Sequence, residues 1–212
     1  MHNLSSEDPF RLRYTKGAKL VGKYQFAQLS AIHHCLPAEM LCFNERSHIK
    51  DMPDCGLHCF INDIQFECLW SNCDRYLNLL RKLPLFIGPD FSAYLDMEEW
   101  RRIYNCGRNY AIANYLTVNG VNIVPVATWA FLSDLDWSLD GFQEGCTLAI
   151  SNNGCLREPS SRKVFTAGVD IIQRKLKPKA IYVCGKHMPE LNCYDNIKYF
   201  PNFSERKFRK EK

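Results

Sequence analysis

Apolar runs of about five residues alternate with longer amphipathic stretches from residue 57 onward. Short apolar runs bounded by turn residues are typical of buried strands, whereas apolar residues spaced three and four apart are typical of helices. The predicted strands are 57–61, 83–87, 122–127, 146–151, 180–184 and 197–200. The predicted helices are 74–82, a long helix between Asp96 and Gly120, and 162–176.

Strands that alternate with helices predict the α/β class, with a mainly parallel sheet and flanking helices. The units are too few for a complete eight-fold barrel, so an open sheet is favoured and a partial barrel-like α/β arrangement is the alternative. A chain of 212 residues suits one domain with a small attachment. We assign residues 1–54 to an N-terminal layer packed on the main domain, 55–203 to the α/β domain and 204–212 to a basic C-terminal tail.

The long helix has boundary signals and an apolar stripe. Asp96 and Glu99 have the spacing of a capping box, and Gly120 stands where helices commonly end in a left-handed residue. Apolar and aromatic residues recur at steps of three, four or seven, which predicts that they face the core. They are Met97, Trp100, Tyr104, Ala111, Tyr115 and Val118.

Arg108 falls at the edge of this predicted stripe, and Asn105 lies close to it on the same helix. A guanidinium in that position needs an anionic partner. The partner is either Asp63 or Asp90, which would make Arg108 structural, or a bound phosphate or carboxylate, which would make it a ligand-binding residue.

Polar or aromatic residues follow the predicted strands. In parallel α/β folds the ligand lies beyond the carboxyl ends of the strands, so we expect these residues at one rim. They are Asp63, Gln65, Asp90, Ser92, Thr128, Trp129, Asn152, Asn153, Gly185 and Lys186. Asp63 and Asp90 are the candidate catalytic residues, as an acid and a base or as two ligands of a hard cation such as magnesium. The candidate ligand-binding residues are Arg108, Asn105, Trp129, Ser92 and Asn153.

No motif in the sequence identifies a reaction. The chain contains neither a Walker loop nor Gly-x-Gly-x-x-Gly, and no serine stands in a Gly-x-Ser-x-Gly elbow. Gly88 to Ser92 also has the composition of a turn, in which Asp90 would bond only local backbone. The sequence therefore leaves open whether the protein is an enzyme.

Composition indicates a soluble globular protein that does not enter a membrane. Hydrophobic residues make up 46% of the chain and charged residues 24%, and no apolar run approaches the roughly 20 residues that span a bilayer. The first ten residues lack the pattern of a secretory signal. The 11 cysteines therefore predict free thiols in a reducing cytoplasm. Cys55 to Cys59, the nearest approach to a Cys-x-x-Cys pair, does not have that spacing, so the cysteines favour buried thiols over zinc.

Both ends of the chain are basic, within a formal net charge of +4. Residues 11–23 carry five basic side chains and no acid, and the tail after Phe203 has a similar excess. Such ends suit a phosphate-seeking or nucleic-acid-binding surface, or they serve only solubility.

Several segments occur together in a recognisable order. They are Phe60 to Glu67, Pro89 to Met97, Asn105 with Arg108 and Asn109, Val124-Pro125 with Trp129, Asp140-Gly141, and Leu176 to Gly185. In this order and spacing the chain resembles, over about residues 57–200, the family called domain of unknown function 4417. The resemblance implies a bacterial, phage or mobile-element setting and a cytosolic location, and it implies no particular reaction.

These observations favour a protein whose polar pocket handles a phosphorylated ligand, a nucleotide or nucleic acid. Asp63 and Asp90 would do the chemistry or hold magnesium, Arg108 would hold the anion and Trp129 would stack on a ring. The alternative is a non-catalytic binding protein that sequesters a host or defence component.

Overall fold

The computed structural model describes residues 8–52 and 54–210; of residues 51 and 207–210 it describes the backbone. The strands are β1 Leu20–Val21, β2 Phe26–Ala27, β3 Met40–Cys42, β4 Gly56–His58, β5 Phe86–Ile87, β6 Ile123–Val124, β7 Thr147–Ser151, β8 Ala180–Cys184 and β9 Ile197–Phe200. The α-helices are α1 Glu67–Asn72, α2 Asp74–Leu80, α3 Glu99–Val118, α4 Pro159–Leu176 and α5 Phe203–Lys210.

The strands from β3 to β9 lie side by side in chain order. β3, β4, β5 and β6 form one parallel sheet, and β7, β8 and β9 form another. Within the described residues the two sheets meet at one parallel bridge, between Val126 and Ala149, which we call the seam. At the seam Ala127 N donates to Ala149 O at 3.0 Å, and Ala149 N donates to Pro125 O at 2.9 Å. β6 is the edge strand of its own sheet, and Pro125, which has no N–H to donate, follows it directly.

One side of the array of strands β3 to β9 carries an apolar cluster. Its buried members come from both sheets and are Met40, Phe60, Leu85, Ile87, Val124, Val126, Ala149, Ala180, Tyr182, Cys184 and Phe200. The array does not close into a barrel, because β3 and β9 are not hydrogen-bonded to each other within the described residues. Arg206 of α5 instead forms an ion pair with Glu45, which follows β3. The predicted α/β class with a mainly parallel sheet is therefore confirmed, in an open form.

Two strands and one helix agree closely with the predicted element boundaries. β8 and β9 have the predicted bounds, and α4 begins three residues before its predicted start, with Pro159 in its first turn. β3 was not predicted, because three residues are too few to show a period. It pairs in parallel with β4, so the sheet crosses the boundary proposed after residue 54. Residues 1–7, 53, 211 and 212 of the proposed end segments lie outside the described residues.

The predicted apolar stripe of α3 is confirmed only in part, because Ala111 is buried as predicted but three other members are exposed. Trp100 and Tyr104 are 60% and 50% exposed, and Val118 is exposed as well. The buried face is instead polar near its start and apolar near its end, and consists of Arg102, Asn105, Cys106, Asn109, Tyr110, Ala111, Ile112, Ala113 and Leu116. Polar side chains are accommodated there because each has a partner, such as Asp134 for Arg102.

The ends of α3 confirm one of the two predicted boundary signals. Glu98 rather than Asp96 is the N-cap, and it makes no side-chain capping bond. Gly120 has φ 77°, the left-handed conformation that ends many helices. Its N–H and that of Val121 return to the last turn of the helix.

Candidate functional site

A cleft of about 990 Å³ opens beyond the carboxyl ends of β4 to β7. Its walls are the segments that follow these strands and the first turns of α4. The lining residues are Phe60, Ile61, Asn62, Asp90, Ser92, Ala93, Tyr94, Leu95, Asp96, Ala127, Thr128, Trp129, Ala130, Ser151, Asn153, Gly154, Cys155, Ser160, Ser161, Val164 and Phe165. This is the position at which parallel α/β folds bind ligands. Among the described residues, no Lys, Arg or His lines the cleft.

Asp90 is the residue of the cleft whose protonation is most perturbed. It lies three residues after β5, and its loss of solvent together with the nearby Asp63 charge raises its pKa to about 7. None of the hydrogen bonds of the described residues involves its carboxyl group. Burial, and in smaller part the Asp90 charge, raises the pKa of the Cys59 and Cys184 thiols. Asp90 is therefore a carboxyl group that can gain or lose a proton near neutrality.

Asp63 lies behind Ser92 and is not itself part of the lining. It accepts from Ser92 N at 3.0 Å and from Ser92 Oγ at 2.8 Å. It is the first residue of a short 3₁₀ helix after β4, and it thus follows a strand as predicted. The structure thus brings Asp63 and Asp90 near each other, with one held by donors and the other open to the cleft.

Asn105 and Arg108 hold this loop from the side of α3. Asn105 Nδ2 donates to Ser92 O at 2.7 Å, and Arg108 Nη2 donates to Asn105 Oδ1 at 2.8 Å. The anionic partner of Arg108 is Glu67, whose Oε2 lies 2.8 Å from Nη1. The expectation that Asp63 or Asp90 neutralises Arg108 is therefore wrong. The reason is that α1 begins at Glu67 and brings this carboxylate to α3.

Trp129 and Asn153 both line the cleft. The Trp129 ring is stacked with Phe165 of α4 at 5.7 Å between centroids, and it lies so close to Gly168 that a Cβ there would be 2.5 Å from it. Asn153 Oδ1 accepts from Asn202 at 2.8 Å. Asp90, Ser92, Trp129 and Asn153 are therefore brought together, whereas Arg108, Asn105 and Asp63 support the cleft from behind.

The start of α4 contributes residues that the sequence prediction missed. Ser160 and Ser161 line the cleft, and no side chain caps the helix. The N–H groups of these two serines have no acceptor among the described residues. Pro159 in the first turn is a helix-start signal that would have placed them there. Unbonded N–H groups at a helix start favour a bound anion.

The cysteines and the basic ends have structural contacts. Among the side chains that the structure describes, no group of three or more His, Cys, Asp or Glu could hold a metal ion. Cys42 Sγ lies 3.5 Å from Nε2 of the fully buried His58.

Arg11 Nε donates to Trp70 O at 3.0 Å, and Arg13 pairs with Asp74 at 3.2 Å. No helix in the described part of the chain has the length and apolarity to span a membrane.

Comparison with known proteins gives a family. The chain is 27% identical over 176 residues to the Gene 1 protein of Mycobacterium phage D29, which covers 81% of this chain and 65% of that protein. It is 25% identical over 176 residues to the Gene 1 protein of Mycobacterium phage L5, which covers 81% of this chain and 76% of that protein. The chain thus spans just under two thirds of the D29 relative, and no solved structure matches it. A family model, Domain of unknown function (DUF4417), matches residues 18–201. The resemblance of its motifs is therefore confirmed, and the chain belongs to the DUF4417 family, which has relatives in phages.

Proposed function

We propose that the cleft binds a small phosphorylated ligand such as a nucleotide, and that Asp90 transfers a proton to or from it. The observation that carries the proposal is the Asp90 carboxyl group, which faces a large cleft without a hydrogen-bond partner and has its pKa raised to about 7. A general acid or base is most effective when its pKa is near the working pH. An unpaired carboxyl group of this kind is more typical of a site than of a structural turn.

The ligand class follows from the other groups in the cleft. The described lining has no basic side chain, but the free N–H groups and hydroxyls of Ser160 and Ser161 at the start of α4 can donate to an anion. Trp129 offers an aromatic ring to a base or sugar. Magnesium would accompany the phosphate oxygens of such a ligand, which commonly bind this ion.

The test measures the melting temperature and the calorimetric Kd with AMP, ADP, ATP and deoxynucleotides, with and without magnesium. We expect a saturable rise in melting temperature for at least one of them. Ser161→Asp should weaken binding at least about tenfold, because it sets a negative charge against the phosphate. The same change favours the helix dipole, so lost binding would not reflect unfolding. Ser133→Asp, on an exposed residue outside the lining, is the control. No shift with any nucleotide, or unchanged binding in Ser161→Asp, would refute the proposal.

A second candidate function is favoured by the exposed aromatic residues of α3. Trp100 and Tyr104 are 60% and 50% exposed, and the Arg101 guanidinium lies 4.6 Å from the centre of the Trp100 ring. Aromatic and arginine side chains are enriched where proteins bind other proteins. A protein that sequesters a host or defence component through this face would keep its activity in Asp90→Asn and lose it in Trp100→Ala. The opposite pattern would exclude this function.

Nucleic acid as the ligand makes a separate prediction. Arg11 and Arg13 are engaged with α1 and α2, which leaves Lys16, Lys19 and Lys23 as the exposed cations of the N-terminal stretch. Binding that depends on them should weaken steeply as salt is raised, because counterions are released from the phosphates. Binding that is insensitive to salt would exclude a nucleic-acid backbone as the principal contact.

A further inference from the structure

We infer that Arg108 is a positioning residue: through Asn105 and Ser92 it holds the Asp63 carboxylate beside Asp90, so that Asp90 carries the proton of the pair. We call the five residues Glu67, Arg108, Asn105, Ser92 and Asp63 the relay. The inference deepens the proposed function, because it assigns different tasks to the two aspartates, but the proton position can be measured without any ligand.

The relay begins at the outer end with a fixed guanidinium. Arg108 has only 11% of its side chain exposed, and its Nη1 is paired with Glu67 while Nη2 donates to Asn105. Its carbon Cζ lies 3.6 Å from the centre of the Phe91 ring and 5.0 Å from that of Tyr104. A guanidinium can serve two acceptors in fixed directions at once, which an ammonium on a flexible stem does less well.

The next step fixes the loop that follows β5. Because its Oδ1 accepts from Arg108, the Asn105 amide is oriented with Nδ2 toward Ser92 O, 2.7 Å away. Asn109, one turn further along α3, bonds the neighbouring residue in the same way: its Oδ1 accepts from Phe91 N at 2.8 Å and its Nδ2 donates to Phe91 O at 3.3 Å. The main chain immediately after Asp90 is therefore held by two buried amides of one helix.

The last step distinguishes the two carboxyl groups. Ser92 gives Asp63 two hydrogen bonds, from N to Oδ2 at 3.0 Å and from Oγ to Oδ1 at 2.8 Å, so both carboxyl oxygens of Asp63 act as acceptors. Asp90 receives none from the described residues. Loss of solvent and the Asp63 charge raise the pKa of Asp90, and no cation is among these causes. The Asp90 charge in turn contributes to the raised pKa of Cys59 and Cys184. Two adjacent carboxyl groups resist ionising together, so the proton resides on the one without donors.

The experiment follows the Asp90 side-chain carboxyl carbon by carbon-13 NMR as a function of pH, in the ligand-free protein. The wild-type signal should titrate near neutrality, and Asp63→Asn should lower its midpoint by roughly 1 unit, because a like charge is removed. Arg108→Lys and Ser92→Ala should lower it by a smaller amount, since each releases Asp63 from its fixed place. Arg101→Lys, on an exposed residue of the same helix, and Ser133→Ala should leave it unchanged.

Two outcomes would overturn the inference. A midpoint that does not move in Asp63→Asn would show that Asp63 does not set the proton of Asp90. A midpoint that moves in Asp63→Asn but stays at the wild-type value in both Arg108→Lys and Ser92→Ala would show that the relay does not act on the pair. Ser92→Ala removes one hydroxyl from a partly exposed residue, so it provides the answer if Arg108→Lys does not fold. Because no ligand is present, either result is separate from the failure of every nucleotide to bind.

Discussion

Replacing Asp134 by alanine should be among the most destabilising changes outside the cleft. Asp134 is 2% exposed at its side chain and faces Arg102, which is 9% exposed, on the buried side of α3. Its carboxylate accepts from Arg102 Nε at 3.1 Å and Nη2 at 3.3 Å, and from the N–H groups of Ala130 and Phe131, each at 3.0 Å. Asp134→Ala therefore leaves a buried cation without its anion, and two main-chain donors without their acceptor.

The expected loss follows from those contacts. Removing one partner of a buried ion pair costs about 3–5 kcal/mol, because the remaining charge stays desolvated. The two main-chain donors raise the expectation toward the upper end of that range. For a protein of this size such a loss lowers the melting temperature by roughly 10 °C. It is also a large part of the roughly 5–15 kcal/mol that holds a typical domain folded.

Urea denaturation of Asp134→Ala and Asp136→Ala provides the measurement with a matched control. Asp134 and Asp136 both lie in a short 3₁₀ helix, Leu132–Asp136. Asp136 pairs with Lys175, but its side chain is 78% exposed. An exposed pair contributes about 0–1 kcal/mol, so Asp136→Ala should be nearly neutral. Equal losses in the two variants, or a loss below about 1 kcal/mol in Asp134→Ala, would refute the argument from burial.

Two further predictions concern pH and have opposite signs. Burial lowers the pKa of His58 from 6.5 to about 3. As the pH falls, His58 is therefore protonated in the unfolded chain before it is protonated in the folded protein. The free energy of unfolding should thus fall by about 2 kcal/mol between about pH 7 and pH 5, and His58→Asn should flatten that slope in urea titrations. An unchanged slope would contradict it. Loss of solvent and the Asp63 charge raise the pKa of Asp90 from 3.8 to about 7. Ionisation of Asp90 therefore lowers the free energy of unfolding, not at all below about pH 4 and by its full amount above about pH 7. Asp90→Asn should accordingly be more stable than wild type by about 2–4 kcal/mol at pH 8 and equal to it at pH 4; a variant less stable at pH 8 would be inconsistent with the raised pKa.

Sequence pattern predicted the strand framework because an uninterrupted apolar run such as Ala180 to Cys184 has few alternatives to a buried strand. It also brought Asp90, Ser92, Trp129 and Asn153 to one cleft, since position after a strand is a property of the sequence itself.

Pattern failed where a partner from elsewhere in the chain decides the outcome. The buried face of α3 is polar because Asp134 and the backbone of Phe91 receive its side chains, so apolar spacing selected the exposed aromatic residues instead. Glu67 could not be assigned to Arg108 from spacing, because the two residues are 41 positions apart and meet only through the packing of α1 on α3.

The seam has a consequence for any molecule that occupies the cleft. The lining residues Ala127 to Ala130 follow β6, and the lining residues Ser151, Asn153, Gly154 and Cys155 end or follow β7. The cleft therefore lies over the join between the two sheets. Within the described residues this join has one bridge, whereas β7 and β8 are paired over five residues. A ligand bonded to both of these segments would link the two sheets at the place in the strand array where the fewest residues are paired. The binding free energy of the ligand would then stabilise the association of the two sheets.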